Sequence, residues 1–165
     1  MSNMASVDPS KLVFKSQVVS AQFIDPSGKI VEHPIDIRTN PITGRTCRIS
    51  SSRSKEKEPG TESLPPPPPD ADQTDTCPFC RPQVNSQTPR LHPDLSSDGK
   101  LTAGDSVLFP NLFPYGSYSA VSLFDNEHFV EIGKATVASY ANSFINCSQY
   151  LARIAQHDPQ AVYMA

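Results

Sequence analysis

Five consecutive prolines, Pro65 to Pro69, sit inside the polar stretch SSRSKEKEPGTESLPPPPPDADQTDT, and this segment constrains the fold more than any other. Each proline fixes φ and removes a backbone donor, so the run favours an extended polyproline II path. The residues around it have no apolar period from which to build a core. The chain therefore divides into an N-terminal block, 1–50, a Pro-rich linker, 51–76, and a block 77–165 that belongs to the same domain. A spacer is the expected role of the linker; a ligand for an aromatic-lined groove is the alternative.

Residues 11–50 read as antiparallel β. Leu12-Val13-Phe14, Gln17 to Ile24, Ile35 to Arg38 and Thr46 to Ile49 are β-rich runs, and the turn signals Asp25-Pro26-Ser27-Gly28 and Asn40-Pro41-Ile42-Thr43-Gly44 separate them. Beyond the linker, Val107 to Phe109 and Ser119 to Phe124 read as two strands joined by a loop from Pro110 to Gly116. From Gly133 to about Gln156 the pattern turns helical, with Val137, Tyr140, Phe144, Leu151 and Ile154 expected on the face that meets the sheet. The expected fold class is α+β: an antiparallel sheet with a long helix packed on one face. After the breaker His157-Asp158-Pro159, residues 160–165 have strand character, which reads as a domain cut short.

With 14 Lys+Arg against 17 Asp+Glu the net charge is -3, without the basic excess that binding a phosphate backbone requires, so a nucleic-acid polymer is not an expected partner. No run approaches the ~20 apolar residues of a membrane span, and the N-terminus lacks the apolar core of a secretory signal. The expected location is the cytoplasm, and no membrane partner is expected.

In a reducing compartment, a tight cysteine pair reads as a metal or redox motif before a structural bridge. Cys77-Pro78-Phe79-Cys80 is such a pair, spaced so that both sulfurs can reach one tetrahedral Zn²⁺ at about 2.3 Å. The remaining ligands would come from carboxylates or from His33, His92, His128 and His157. A redox pair would want a βαβ setting, and unpaired structural thiols remain a third reading. Cys47 and Cys147 stand alone and are expected to be small buried hydrophobes. Asn146-Cys147-Ser148 matches a glycosylation acceptor only formally, because it falls inside the expected helix.

Four blocks, in order, resemble the galactose-1-phosphate uridylyltransferase family of the histidine-triad-like superfamily. Arg38-Thr39-Asn40-Pro41-Ile42-Thr43-Gly44 is similar to its R-x-N-P-L-T-G, and Ser50-Ser51-Ser52-Arg53-Ser54-Lys55 to its S-P-x-R-x-K. Cys77-Pro78-Phe79-Cys80 is the second block, and Phe109-Pro110-Asn111-Leu112-Phe113-Pro114 resembles F-x-N-D-F-x-A. Ser122-Leu123-Phe124-Asp125-Asn126-Glu127-His128 resembles a strand ending in S-P-x-H. The resemblance covers roughly residues 35–165, the first half of such an enzyme.

The resemblance implies a zinc site with Cys77, Cys80 and His128 as ligands, the fourth lying beyond the helix. It implies that Phe79 and Phe109 flank the base, that Asn111 contacts the nucleotide, and that Arg53 lies near the phosphates. The substrates it implies are a nucleoside-diphosphate sugar and a sugar 1-phosphate, and its members are commonly homodimers. Two positions depart from the pattern: Leu112 replaces an aspartate that binds the ribose, and Glu56 replaces a second arginine. An adenylyl or other nucleotidyl relative is therefore as admissible as a uridylyltransferase. Family chemistry runs through a histidine in an H-P-H motif, attacking the α-phosphorus and passing the nucleotidyl group to the second sugar phosphate. These 165 residues contain no H-x-H, so no catalytic residue is assigned. The expectation is the N-terminal nucleotide- and zinc-binding portion of a sugar-1-phosphate nucleotidyltransferase. The alternatives are a non-catalytic zinc-binding interaction module and an inactive truncated remnant.

Overall fold

A computed structural model of the protein describes residues 12–50, 75–131 and 133–161. Most of the linker, with Arg53, Glu56 and the proline run, and residues 162–165 lie outside the described residues, so the expectations placed on them have no structural counterpart.

The N-terminal block forms β1 (Lys15–Ile24), β2 (Ile30–Thr39) and β3 (Thr46–Ser50). The β1–β2 hairpin closes at Asp25, whose Oδ1 accepts from Ser27 Oγ at 2.7 Å and from Lys29 N at 2.9 Å. Gly28 supplies the positive φ of 86° that this turn requires. The β2–β3 turn closes in the same manner, with Asn40 Oδ1 accepting from Ile42 N at 2.8 Å and Thr43 N at 3.1 Å. Both turns are those the sequence signals.

After the linker come a short helix, α1 (Gln83–Gln87), and β4 (Arg90–Leu91), which returns to the first sheet by pairing Phe23 with Leu91. Three further strands, β5 (Leu101–Ala103), β6 (Ser106–Pro110) and β7 (Ala120–Leu123), form a second antiparallel sheet. The sheet orders are β3-β2-β1-β4 and β5-β6-β7. The fold is α+β, with two antiparallel sheets where one was expected, and its long helix α2 (Val137–His157) packs on the second sheet.

Helix α2 begins at Thr136, whose side chain accepts from Ser139 N, and ends at Asp158 before Pro159. Its buried residues are Ser143, Asn146, Tyr150 and Ile154; Val137, Tyr140 and Phe144, expected to face the sheet, are exposed. The cause is a polar seam. Asn146 Nδ2 donates to Ser106 Oγ at 2.9 Å, Ser106 Oγ donates to the Leu123 carbonyl at 2.6 Å, and the Ser122 and Ser143 hydroxyls lie 2.8 Å apart. Hydroxyls on the sheet require partners from the helix, so the helix turns its Ser/Asn side inward and its aromatic stripe outward. Below the seam, Tyr150 and Ile154 join Leu91, Leu95, Leu101 and Leu108 in the main core, while Val84, Val107 and Phe109 form a smaller cluster.

The burial expected of both lone cysteines is also corrected. Cys47 is exposed on β3, while Cys147 packs partly buried against the main core. His33 lies within β2 opposite Ala21, its ring stacked on Phe23 at 5.1 Å. Asn146 is fully buried, which removes it as a glycan acceptor.

Candidate metal centre

Cys77 and Cys80 are held by a tight turn in which Cys80 N donates to the Cys77 carbonyl at 3.2 Å, and the Cys80 carbonyl accepts from Val84 N at 2.8 Å to lead into α1. His128 arrives from the loop after β7, shaped by Glu127 N donating to Asp125 Oδ1 at 2.9 Å. Although 48 residues separate them, Cys80 Sγ lies 3.2 Å from His128 Nδ1. The candidate ligand atoms of Cys77, Cys80 and His128 all fall within 4.8 Å of one another. These three residues could hold a metal ion.

The two arms of the centre are joined through one turn. Asp105, in the β5–β6 turn, accepts from Asn126 Nδ2 on its Oδ1 at 2.7 Å, and from Arg81 Nη2 on its carbonyl at 3.5 Å. Asn126 belongs to the His128 loop and Arg81 follows Cys80 directly, so the turn fixes the histidine relative to the thiols. The chemistry of the donors suits a borderline-soft divalent ion: two sulfurs and one imidazole nitrogen. Burial pushes the Cys80 thiol up from its ordinary value, with the neighbouring Cys77 thiol adding to the effect. A bound cation reverses that balance by stabilising the thiolates.

Phe79, between the cysteines, and Phe109, on β6, stack nearly parallel, with centroids 6.0 Å apart and planes 15° apart. Phe109 is only 2% exposed while Phe79 is 50% exposed. That separation is a direct aromatic contact, so a base between the rings would have to part them, and Phe79 is the ring with freedom to move. Asn111 uses its Oδ1 to accept from Phe113 N at 3.0 Å. Its Nδ2 has no partner among the described residues and is the group free to meet a ligand. Leu112 is exposed beside it.

Lys100 carries no signal in the sequence, yet it stands next to this cluster. Its Nζ lies 5.6 Å from the Phe109 centroid and donates to Thr88 Oγ1 at 2.6 Å and to the Val84 carbonyl, tying the end of α1 to β5. Burial, followed by the nearby Arg90 charge, lowers it to about 8. Asp105 and Asn126 also escape the sequence, since nothing in their spacing marks them. His33, His92 and His157 are not gathered with the cysteines. No described helix is long and apolar enough to cross a membrane.

An uncharacterized protein of Archaeoglobus fulgidus is similar to this chain, 26% identical over 148 residues that cover 86% of the chain and 41% of that relative. The chain thus spans well under half the length of the curated relative it matches. No family model matches the chain. No solved structure matches it.

Proposed function

We propose that the chain is the nucleotide- and zinc-binding portion of a sugar-1-phosphate nucleotidyltransferase, of the hexose-1-phosphate uridylyltransferase type. The observation that carries this reading is the convergence of Cys77, Cys80 and His128 beside the stacked Phe79 and Phe109, because a metal knuckle next to an aromatic platform suits a base-binding site. Zinc bound there would lock the turn carrying Phe79 to the loop after β7. Phe79 stacks on the base, Asn111 donates its amide to the nucleotide, and Arg53 grips the phosphates with its guanidinium. The histidine that takes up and passes on the nucleotidyl group comes from outside these residues. Leu112 cannot accept from ribose hydroxyls, so a uridylyl and an adenylyl donor stand level.

Titration of the zinc-loaded protein with UDP-hexose and ADP-hexose tests this. One of them should move the backbone amide signals of Phe79, Phe109 and Asn111 saturably; unchanged signals with both would overturn the reading.

The exposed stripe of Val137, Tyr140 and Phe144, with Phe124 edge-on to Tyr140 at 5.0 Å, favours a second reading as a zinc-binding interaction module. Zinc binding without nucleotide binding would select it.

A further inference from the structure

Away from the cysteines, a cleft of about 170 Å³ opens where the first sheet, the loop after β4 and the C-terminal end of α2 meet. Ser20 and Gln22 alternate along β1, so both project from the face opposite the buried Ala21 and Phe23, and both line this cleft. His92 and Asp94 enter from the loop after β4, and Tyr118 and His157 face them.

The cleft is built of fixed polar groups. Tyr118 Oη donates to Asp158 Oδ2 at 3.1 Å, and Asp158 Oδ1 accepts from Gln160 N at 3.2 Å. His92 Nδ1 lies 3.3 Å from Asp94 Oδ2 and accepts from Asp94 N at 3.4 Å, and its other ring nitrogen has no partner among the described residues. Ser20 Oγ, the Gln22 amide and the His157 ring likewise have no partner among the described residues. The unused groups therefore mix donors with acceptors on rigid elements. Burial and Asp158 hold the Tyr118 phenol above its ordinary value, so it remains a hydroxyl.

Size and charge narrow the ligand. The space lies below the range of about 300–1,000 Å³ usual for drug-sized ligands. The space is too small to take up a whole nucleotide. No lysine or arginine stands among the described lining residues, and the carboxylates of Asp94 and Asp158, already engaged by His92 and Tyr118, oppose a phosphate; Leu95 is the one apolar side chain among them. A neutral molecule carrying several hydroxyls matches alternating donors and acceptors, since each hydroxyl gives one hydrogen bond and takes others.

We propose that this cleft binds a small unphosphorylated polyol, between glycerol and a monosaccharide in size. The site is separate from the metal centre and stands or falls independently of the nucleotide reading. Titration of the isotopically labelled full chain with glycerol and with glucose should give saturable shifts at His92, Tyr118 and His157, with dissociation in the millimolar range. Gln22→Ala, on an exposed side chain, should weaken binding about fivefold, the effect of one net hydrogen bond, with the Leu108 signals unchanged. Glucose 6-phosphate and ethylammonium should bind more weakly than glucose. The absence of saturable shifts with both polyols, tighter binding of either charged probe, or an unaltered affinity in Gln22→Ala would overturn the proposal.

Discussion

Asn126 Nδ2 donates to Asp105 Oδ1 at 2.7 Å, and this bond fastens the loop bearing His128 to the turn that also receives Arg81 from the cysteine knuckle. This bond fixes a ligand's loop and so acts one step further out than a partner bonded to the ligand itself, whose loss typically lowers affinity about 10- to 100-fold. Asn126→Ala is expected to weaken zinc binding by about tenfold while leaving the urea midpoint of the metal-free protein unchanged. A competition titration with a chromophoric chelator reads the first quantity and denaturation the second.

The two rings beside the centre are expected to respond differently. Phe79→Ala removes a half-exposed ring and should weaken nucleotide binding by the about 1–3 kcal/mol that stacking on a base is worth, with little change in stability. Phe109→Ala empties a buried position and should cost about 3–5 kcal/mol of stability. Calorimetric titration and urea unfolding of both variants separate the two effects.

Lys100 gives the protein a signature at alkaline pH. The folded amine releases its proton near about 8, whereas the unfolded one retains it up to the ordinary 10.5. Between those values this amine binds more protons in the unfolded chain, so its contribution to stability rises as pH increases through the window. Lys100 is partly exposed, and solvent screening reduces the gain to about 1 kcal/mol. The unfolding free energy of wild type minus that of Lys100→Met, a difference in which the opposing contributions of Cys80 and Tyr118 cancel, should rise between about pH 7.5 and 10.5.

The seam under α2 can be tested at Asn146, which is fully buried, donates to Ser106 and has no partner for its Oδ1 among the described residues. Asn146→Asp places an acid there without a donor to meet it and should cost about 2–4 kcal/mol. Gln149→Glu, on the exposed side of the same helix, should stay within about 0.5 kcal/mol. Thermal unfolding of both proteins at neutral pH checks the contrast.

Turn chemistry made much of the fold legible. Asp25 and Asn40 act locally, each capping its own turn, so the N-terminal strands follow directly from the sequence. The face of α2 was not legible in the same way, because an apolar period counts Val137, Tyr140 and Phe144 as core and gives Ser143 and Asn146 no weight. Their burial is decided by Ser106 and Ser122, hydroxyls on strands that only the tertiary fold brings opposite them. The cysteine pair was visible from its spacing. His128 was singled out through a resemblance, and its approach to Cys80 depends on a chain reversal through β5, β6 and β7 that no local signal encodes. Lys100, Asp105 and Asn126 went unmarked because ordinary polar residues gain their roles only from where the strands place them.

Cobalt(II) titration of the reduced protein asks whether Cys77, Cys80 and His128 act together as one metal centre. Saturation is expected at one equivalent, with sulfur-to-cobalt charge-transfer absorption and the intense visible bands of a tetrahedral ion, both weakened in Cys80→Ser and in His128→Ala. Weak octahedral bands without charge-transfer absorption, or a spectrum unaltered in His128→Ala, would contradict it.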